Sequence, residues 1–216
     1  MPRSKKELRA EETKQAIILA SGQLFAKRGF EKVTMREIAK EAGCSHTAIY
    51  LYFKDKEALL HQLAMGPLQA LLERFEEILQ EKSLPPAERL RTFTREFIRF
   101  NLTQRSLYNI LFMTRASRVD VEEQELAVQR LRNRLFDCLR SAIKMCLPGQ
   151  VAEERILAYA RIYFYTLHGI VGTYLGSDET DDMLLERLGS TFELAVDVML
   201  AGFQQTLERE WKANEN

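Results

Sequence analysis

Residues 34–53 read TMREIAKEAGCSHTAIYLYF, a pattern typical of two short helices joined by a tight turn. Thr34 and Glu37 have the spacing of a capping box, in which each side chain satisfies a backbone amide near the other. Gly43 tolerates the positive φ that a tight turn requires, and Ser45 is a suitable cap for the second helix. The pattern therefore predicts a helix-turn-helix.

The two helices of such a motif pack closely only if a small side chain in the first faces an aliphatic side chain in the second. Ala39 leaves room for Ile49 in this way. The predicted core of the motif consists of Ile38, Ala39, Gly43, Ile49 and Phe53. Each feature alone is common among amphipathic helices, but together with the capping box they indicate a helix-turn-helix.

The side chains that point outward from the second helix decide what the motif binds. They are His46, Thr47 and Ala48 near its start, with Leu51 and Tyr52 further along. A recognition helix presents its N-terminal side chains to base edges in the major groove of DNA, and short donors, acceptors and methyl groups suit that task. We therefore expect His46, Thr47 and Ala48 to face bases; the alternative is an ordinary solvated helix face.

The distribution of charge supports a nucleic-acid partner, although the total charge does not. The 216 residues carry 31 Lys or Arg and 31 Asp or Glu, so the net charge is zero. Residues 1–66 hold 12 basic and 8 acidic side chains, a net +4, whereas residues 67–216 hold 19 and 23, a net −4. The basic surface is therefore expected in the first third of the chain.

The composition argues against a membrane protein, a disulfide framework and a zinc protein. The longest apolar runs fall far short of the roughly 20 residues that cross a bilayer, and the charged N-terminus has no apolar stretch behind it. Cys44, Cys138 and Cys146 are odd in number and widely spaced. We expect a cytoplasmic protein with no membrane segment, no metal and no cofactor.

Helical spacing of apolar residues recurs along the chain, and no strand or hairpin pattern is present. The expected fold is all-α, with an N-terminal three-helix helix-turn-helix domain at residues 1–56 and a larger C-terminal helical domain at residues 57–216. We expect the first helix to begin near Glu12, the third to run through Phe53, and a kink or boundary at Gly66–Pro67. Later helices are predicted at residues 87–103, 105–115, 121–146, 151–175 and 181–211.

Residues 25–60 run from FAKRGFEKVTMREIA to GCSHTAIYLYFKDKEALL, and they resemble the N-terminal signature of the TetR (tetracycline repressor) family. The resemblance implies that the chain binds double-stranded DNA, with phosphate contacts from Thr34, Tyr50, Tyr52 and Lys56. It also implies that Arg36 faces bases together with His46, Thr47 and Ala48. Leu51 and His46 depart from residues frequent in the family, so the operator sequence does not follow from the resemblance.

The basic residues before the first helix, Arg3, Lys5, Lys6 and Arg9, leave two alternatives open. They reach a neighbouring groove or phosphates, or they form a solvated, disordered tail.

We expect a dimer, because two-fold dimers present two recognition helices to DNA. The last two predicted helices are the expected interface, because they carry apolar residues at helical spacing. The candidate interface residues are Gly172, Leu188, Phe192, Ala195, Val196, Met199 and Phe203. The resemblance implies the same interface, formed as a four-helix bundle across the two-fold axis.

The resemblance further implies an apolar effector pocket in the C-terminal domain, which would then serve regulation and dimerisation. Its candidate lining residues are Phe97, Phe100, Tyr108, Phe112, Phe136, Tyr163 and His168. The alternative for each aromatic residue is plain core packing.

These observations predict a ligand-responsive repressor that binds a palindromic operator as a homodimer and is released by a small, largely apolar effector. Two alternatives remain: a DNA-binding protein whose body docks another protein, and a helical enzyme. The enzyme is disfavoured because His46, His61 and His168 are dispersed and no paired acid and base or nucleophile motif is present.

Overall fold

The computed structural model describes residues 4–108 and 127–214, and in these residues the chain forms nine helices and no strand. The all-α prediction is confirmed. The helices are α1 (Lys5–Arg28), α2 (Met35–Glu41), α3 (His46–Ile49), α4 (Lys56–Gln80), α5 (Pro86–Thr103), α6 (Arg105–Tyr108), α7 (Ala127–Cys146), α8 (Glu153–Tyr174) and α9 (Asp181–Asn214).

The chain divides into two compact units, and the division falls within α4 between Leu68 and Gln69. Of the described residues, the first unit contains 4–68 and 106–108, and the second contains 69–105 and 127–214. The helix-turn-helix lies wholly in the first unit.

In the first unit, α1 begins well before the expected Glu12. Ser4 caps it, because the Ser4 hydroxyl accepts a hydrogen bond from the Glu7 amide at 3.2 Å and the Glu7 carboxylate accepts one from the Ser4 amide at 2.7 Å. The prediction of the helix start was therefore wrong, since it followed the apolar residues and overlooked a polar cap. Lys5, Lys6 and Arg9 lie on the exposed surface of this helix.

Pro67 lies inside α4 and does not end it, so no helix boundary occurs at Gly66–Pro67, although the division between the two units follows directly, between Leu68 and Gln69. Proline removes one backbone donor from a helix and disfavours the helical conformation in the residue before it. The buried residues Leu60, Ala64, Leu68, Leu71 and Leu72 follow helical spacing on both sides of Pro67. Packing of this apolar face offsets the local cost.

In the second unit, α5 packs against α7, α8 and α9, and α7 also packs against α8. Stacked aromatic pairs join the helices: Phe75 of α4 with Phe93 of α5, at 3.7 Å between ring centroids, and Tyr159 of α8 with Phe203 of α9, at 4.2 Å. These contacts build a core of large apolar side chains.

The turn between α7 and α8 contains Gly149, which has φ of +66°. A Cβ atom at this position would lie 3.5 Å from the indole ring of Trp211, near the end of α9. That distance is an ordinary van der Waals contact, so the positive φ is what favours glycine here. None of the described helices is long and apolar enough to span a lipid bilayer.

Candidate nucleic-acid interface and regulatory site

The start of α2 is fixed by hydrogen bonds that also reach the end of α1. The Glu37 amide donates to the Thr34 hydroxyl at 3.3 Å, and the Thr34 amide donates to the Glu37 carboxylate at 2.9 Å. Arg28 donates to the other oxygen of Glu37 at 2.8 Å. The hydrogen bonds to the Glu37 carboxylate, from Arg28 first and then from the hydroxyl of Thr34 at 2.8 Å and its amide, lower the pKa of Glu37 to about 2. Glu37 is therefore ionised at physiological pH and ties α1 to α2.

The turn between α2 and α3 has the geometry that the sequence predicts. Gly43 has φ of +70°, and the Cys44 amide donates to the Ala39 carbonyl at 3.0 Å. The Ser45 hydroxyl then accepts from the Ala48 amide at 3.1 Å and caps α3. The capped turn fixes how the outward side chains of α3 are presented.

Four of the five predicted core residues, Ile38, Ala39, Ile49 and Phe53, are buried. Gly43 is exposed, as its place at the turn requires. The third helix ends at Ile49 instead of running through Phe53, but hydrogen bonds from residues 51–53 back to residues 48 and 49 keep the chain in helical turns.

The side chains expected to face bases lie on the outside of the motif. Arg36, His46 and Thr47 are exposed, and Ala48 is half-buried. The His46 ring lies edge-on to the Tyr50 ring, at 5.3 Å between centroids and 89° between planes. This contact links a candidate base contact to a candidate phosphate contact one helical turn away.

The candidate phosphate contacts differ in how firmly they are held. Thr34 and Tyr50 are exposed, and Tyr52 is half-buried. The Lys56 ammonium donates to the Phe30 carbonyl at 2.9 Å and lies 4.3 Å from the centroid of the Phe30 ring. Lys56 is therefore positioned by the segment between α1 and α2, with part of its donor capacity left for another acceptor.

Three of the candidate pocket residues meet in the second unit. His168 of α8 lies 5.4 Å from Phe97 of α5 and 4.0 Å from Phe164, measured between ring centroids. Phe164 in turn contacts Phe136 of α7 at 5.6 Å. We call Phe97, Phe136, Phe164 and His168 the aromatic cluster. Phe164 was missing from the predicted set, although its position one turn before His168 places it on the same helix face.

The other candidate pocket residues have different surroundings. Tyr163 is fully buried, and its hydroxyl lies 2.5 Å from that of Thr94. Tyr108 is buried in the first unit, where burial raises its pKa to about 12. Phe100 is half-buried on α5, and Phe112 lies outside the described residues. The predicted set therefore does not form a single group.

Electrostatics keep the aromatic cluster free of a charge on His168. Burial lowers the pKa of His168 to about 3, and the positive charge of Arg132 is the second cause of this shift. Arg132 of α7 is itself buried, and burial lowers the pKa of its guanidinium. The cluster thus combines apolar rings with a neutral imidazole, close to a buried cation.

The candidate dimer residues divide by burial within the single chain. Phe192, Val196 and Phe203 are buried in the core of the second unit, Leu188, Ala195 and Met199 are half-buried, and Gly172 is exposed. The exposed apolar side chains lie on other faces of the same two helices. They include Ile162 and Tyr165 on α8, which we call the α8 stripe, and Leu194 and Val198 on α9, which we call the α9 stripe. Met183 and Trp211, nearer the two ends of α9, are also exposed.

Comparison with known proteins places this architecture in a family. Residues 17–63 match the model described as bacterial regulatory proteins of the tetR family. Residues 90–199, just over half of the chain, match the model of the tetracyclin repressor-like C-terminal domain. The chain belongs to the TetR family of transcription regulators. It is accordingly a regulator with a DNA-binding helix-turn-helix, and not an enzyme.

Two curated proteins of Bacillus subtilis (strain 168) illustrate the relationship. An uncharacterized HTH-type transcriptional regulator, YerO, is 45% identical over 83 residues, which are 37% of this chain and 28% of that protein. The fatty acid metabolism regulator protein is 26% identical over 186 residues, which are 83% of this chain and 92% of that protein. The first match spans under a third of its relative, whereas the second extends over nearly all of it.

Among solved structures, the regulator FadR from Bacillus subtilis in complex with stearoyl-CoA matches with a TM-score of 0.57 and 19% identity. The match covers 88% of this chain and 97% of that one. A Rhodococcus protein of unknown function matches with a TM-score of 0.63 and 19% identity, over 89% of this chain and 95% of that one. At this identity the likeness concerns the fold alone.

Proposed function

We propose that the chain is a homodimeric repressor that acts in the cytoplasm, binds a palindromic operator and is released by a small, largely apolar effector. The observation that carries the proposal is the exposed, capped turn and helix of residues 43–49, which present His46 and Thr47 on a motif whose other face is buried. In this assignment residues 1–56 bind DNA and residues 57–216 serve regulation and dimerisation.

The proposed DNA contacts fall into two groups with different consequences. His46, Thr47 and Ala48 at the start of the recognition helix α3 read base edges with polar groups and a methyl group. Arg36 at the start of α2 reads a base edge with its forked guanidinium. Thr34, Tyr50, Tyr52 and Lys56 bind phosphates, because hydroxyl and ammonium groups donate to phosphate oxygens without reading the sequence. The Thr34 hydroxyl donates its one hydrogen to Glu37 at 2.8 Å, so it has to exchange that hydrogen bond for one to a phosphate. The excess of basic side chains in residues 1–66 supports this orientation.

A second copy of the chain is the proposed partner in the dimer, because a palindromic operator presents two half-sites about 34 to 36 Å apart. The α8 stripe and the α9 stripe support the dimer, since they expose large apolar side chains at helical spacing. In this proposal the two stripes replace three predicted interface residues that the single chain already buries, Phe192, Val196 and Phe203. The other predicted residues, which are half-buried or exposed, stay in the proposed interface: Gly172, Leu188, Ala195 and Met199.

The proposed effector is a compound with an acyl chain that contacts the aromatic cluster. Apolar rings with few polar atoms suit such a chain, and buried Arg132 favours an acidic group at one end of it. The names of the fatty acid metabolism regulator and of the complex with stearoyl-CoA support the same class. α4 runs from the first unit into the second and is the proposed link between effector binding and DNA release.

Titration of the full chain against fluorescent duplexes from the DNA flanking its own gene, at two salt concentrations, tests the proposal. We expect tight, salt-sensitive binding to one palindromic duplex, and release on addition of stearate or stearoyl-CoA but not of free coenzyme A. Binding that is weak and independent of the DNA sequence would contradict operator recognition. Specific binding that no acyl compound changes would contradict the effector class and favour a body that docks a protein.

We call the two groups of proposed DNA contacts together the recognition surface, and variants of single residues in it distinguish base contacts from phosphate contacts. Tyr50→Phe removes one hydroxyl and keeps the ring beside His46, so we expect binding to operator and scrambled duplexes to weaken by similar factors. Thr47→Ala and His46→Ala should instead change which base pairs are preferred, by about 1 to 3 kcal/mol at the affected pair. The same binding assay on a set of single-pair operator variants measures both effects, and unchanged binding in both groups would refute the interface.

A further inference from the structure

Leu51 lies on the outward face of the helix-turn-helix with 83% of its surface exposed. Ile49 and Phe53, two residues to either side, are buried in the core of the motif. The Leu51 amide donates to the Ala48 carbonyl at 3.1 Å, so the chain still turns in a helical sense beyond α3. Thr47 and Leu51 are four residues apart on this outer face, the spacing at which helical side chains are neighbours.

Single exposed apolar side chains are common on protein surfaces and need no explanation by themselves. Leu19 of α1 is such a residue, with 64% of its surface exposed. Leu51 differs from Leu19 by its place: it follows the proposed base contact Thr47 by one turn and adjoins Tyr50, a proposed phosphate contact. A side chain one turn beyond Thr47 on the same outer face is therefore placed to enter the major groove together with Thr47 in the proposed complex.

The chemistry of the groove limits what a leucine can recognise. Leucine has no hydrogen-bond donor or acceptor, so it cannot read the polar atoms of base edges. Among the groups that a base pair presents in the major groove, the apolar one is the 5-methyl group of thymine. Contact between the two removes apolar surface from water on both sides.

We infer that Leu51 is a specificity-determining residue that contacts the 5-methyl group of a thymine in each operator half-site. The inference rests on the proposed operator binding and adds a residue and a base to it. It makes the recognition surface part polar and part apolar, with His46 and Thr47 reading hydrogen-bonding groups and Leu51 selecting thymine at a neighbouring pair.

The test replaces thymine by deoxyuridine, which lacks only the methyl group, one symmetric pair of positions at a time in the operator duplex. Full-length wild type, Leu51→Ala and the matched control Leu19→Ala are titrated against each duplex. One buried methyl group corresponds to about a fourfold loss of affinity per half-site. We expect wild type and Leu19→Ala to lose affinity at one thymine pair, and Leu51→Ala to bind both duplexes equally.

The cycle of two proteins and two duplexes isolates the contact from effects of the methyl group on DNA shape, because those affect wild type and Leu51→Ala alike. Wild-type binding that ignores the methyl group at every thymine would overturn the inference and leave operator recognition intact. Equal sensitivity of wild type and Leu51→Ala would do the same. Absence of any sequence-specific binding by wild type would instead remove the proposed function, and the inference with it.

Discussion

Gly43 shows how one residue without a side chain sets the geometry of the whole recognition surface. Its φ of +70° places the chain in the left-handed region between α2 and α3. A Cβ atom there would meet nothing within 4 Å, so the backbone conformation, and not crowding, is what demands glycine. Gly189 has the same open surroundings but lies inside the helix α9.

These two glycines form a matched pair for a stability measurement. We expect Gly43→Ala to lower the free energy of unfolding by about 1 kcal/mol, because alanine is strained at positive φ. Gly189→Ala should raise it by up to about 1 kcal/mol, because alanine is the better helix former. Urea unfolding followed by circular dichroism measures both, and a loss of similar size in both variants would contradict this assignment of strain.

His168 gives the stability of the chain a dependence on pH. Its pKa is about 3 in the folded chain, because of burial and then Arg132, and about 6.5 when unfolded. The folded state therefore binds fewer protons below pH 6.5, and its free energy of unfolding decreases as the pH falls. This stabilisation is present at neutral pH and is lost progressively toward pH 3.

Replacing His168 by Phe should remove this contribution. Between pH 7 and 5.5 we expect wild type to lose about 1 kcal/mol more than His168→Phe. The control Phe164→Leu changes the same aromatic cluster but keeps the titrating His168. The free energy of unfolding of this variant should therefore depend on pH as it does in wild type. Urea midpoints at several pH values give the comparison, and parallel curves for wild type and His168→Phe would show that His168 is not buried as a neutral group.

At the scale of the helices, apolar spacing identified most elements but not which face of a helix the chain buries. The positions of α5, α8 and α9 follow the predictions closely, because apolar residues and breaks at Pro85, Pro148 and Gly176 mark their ends. Phe192 and Val196 lie four residues apart, and so do Leu194 and Val198. Only tertiary packing decides between these two sets, so the sequence could not distinguish core from outer surface.

The same limit applies to the candidate regulatory site. Aromatic residues on α5, α7 and α8 were expected to converge, and Phe97, Phe136 and His168 do so through Phe164. Tyr163, adjacent to Phe164, points to Thr94 instead, because neighbouring residues on a helix point about 100° apart. The helix-turn-helix was better predicted, since its turn and caps are local features.

The α9 stripe can be tested as a dimer surface without disturbing the core. Leu194 and Val198 are 60% and 63% exposed, so the double variant Leu194→Glu, Val198→Glu should fold and lose only the association that needs an apolar face. We expect a dimer for wild type and a monomer for the variant by light scattering at micromolar concentration. Leu19→Glu changes an equally exposed leucine outside the stripe and should remain dimeric.

A monomeric wild type, or a dimer that the double variant leaves intact, would refute this interface. Circular dichroism of the variant, unchanged from wild type, shows that loss of the dimer is not loss of the fold. A monomeric variant should also bind the operator less tightly, because each copy then holds a single recognition helix.

For the whole molecule, regulation means that binding at one site changes the free energy of binding at the other site. A coupling of about 1 to 3 kcal/mol corresponds to a 5- to 150-fold change in affinity, and the change is reciprocal. If stearoyl-CoA weakens operator binding by some factor, the operator duplex must weaken stearoyl-CoA binding by the same factor. The aromatic cluster and the recognition surface lie in different units. This linkage does not require contact between the two sites.

Reciprocity provides a quantitative check. Operator affinity is measured by fluorescence anisotropy with and without stearoyl-CoA, and the affinity for stearoyl-CoA by calorimetry with and without the duplex. We expect equal factors for wild type and a reduced factor for Phe164→Leu, with operator affinity in the absence of effector unchanged. Equal affinities with and without effector would contradict allosteric release, whereas loss of operator affinity in Phe164→Leu would indicate general damage.

Trp211 gives the molecule an intrinsic optical label. It is the only tryptophan in the chain, and its indole packs against the turn at Gly149 from near the end of α9. Its emission therefore reports on one corner of the second unit, while circular dichroism averages over all helices. If the last turns of α9 detach first, the emission will shift to longer wavelength before ellipticity is lost. The gap between the two curves then measures how independently that end of α9 opens.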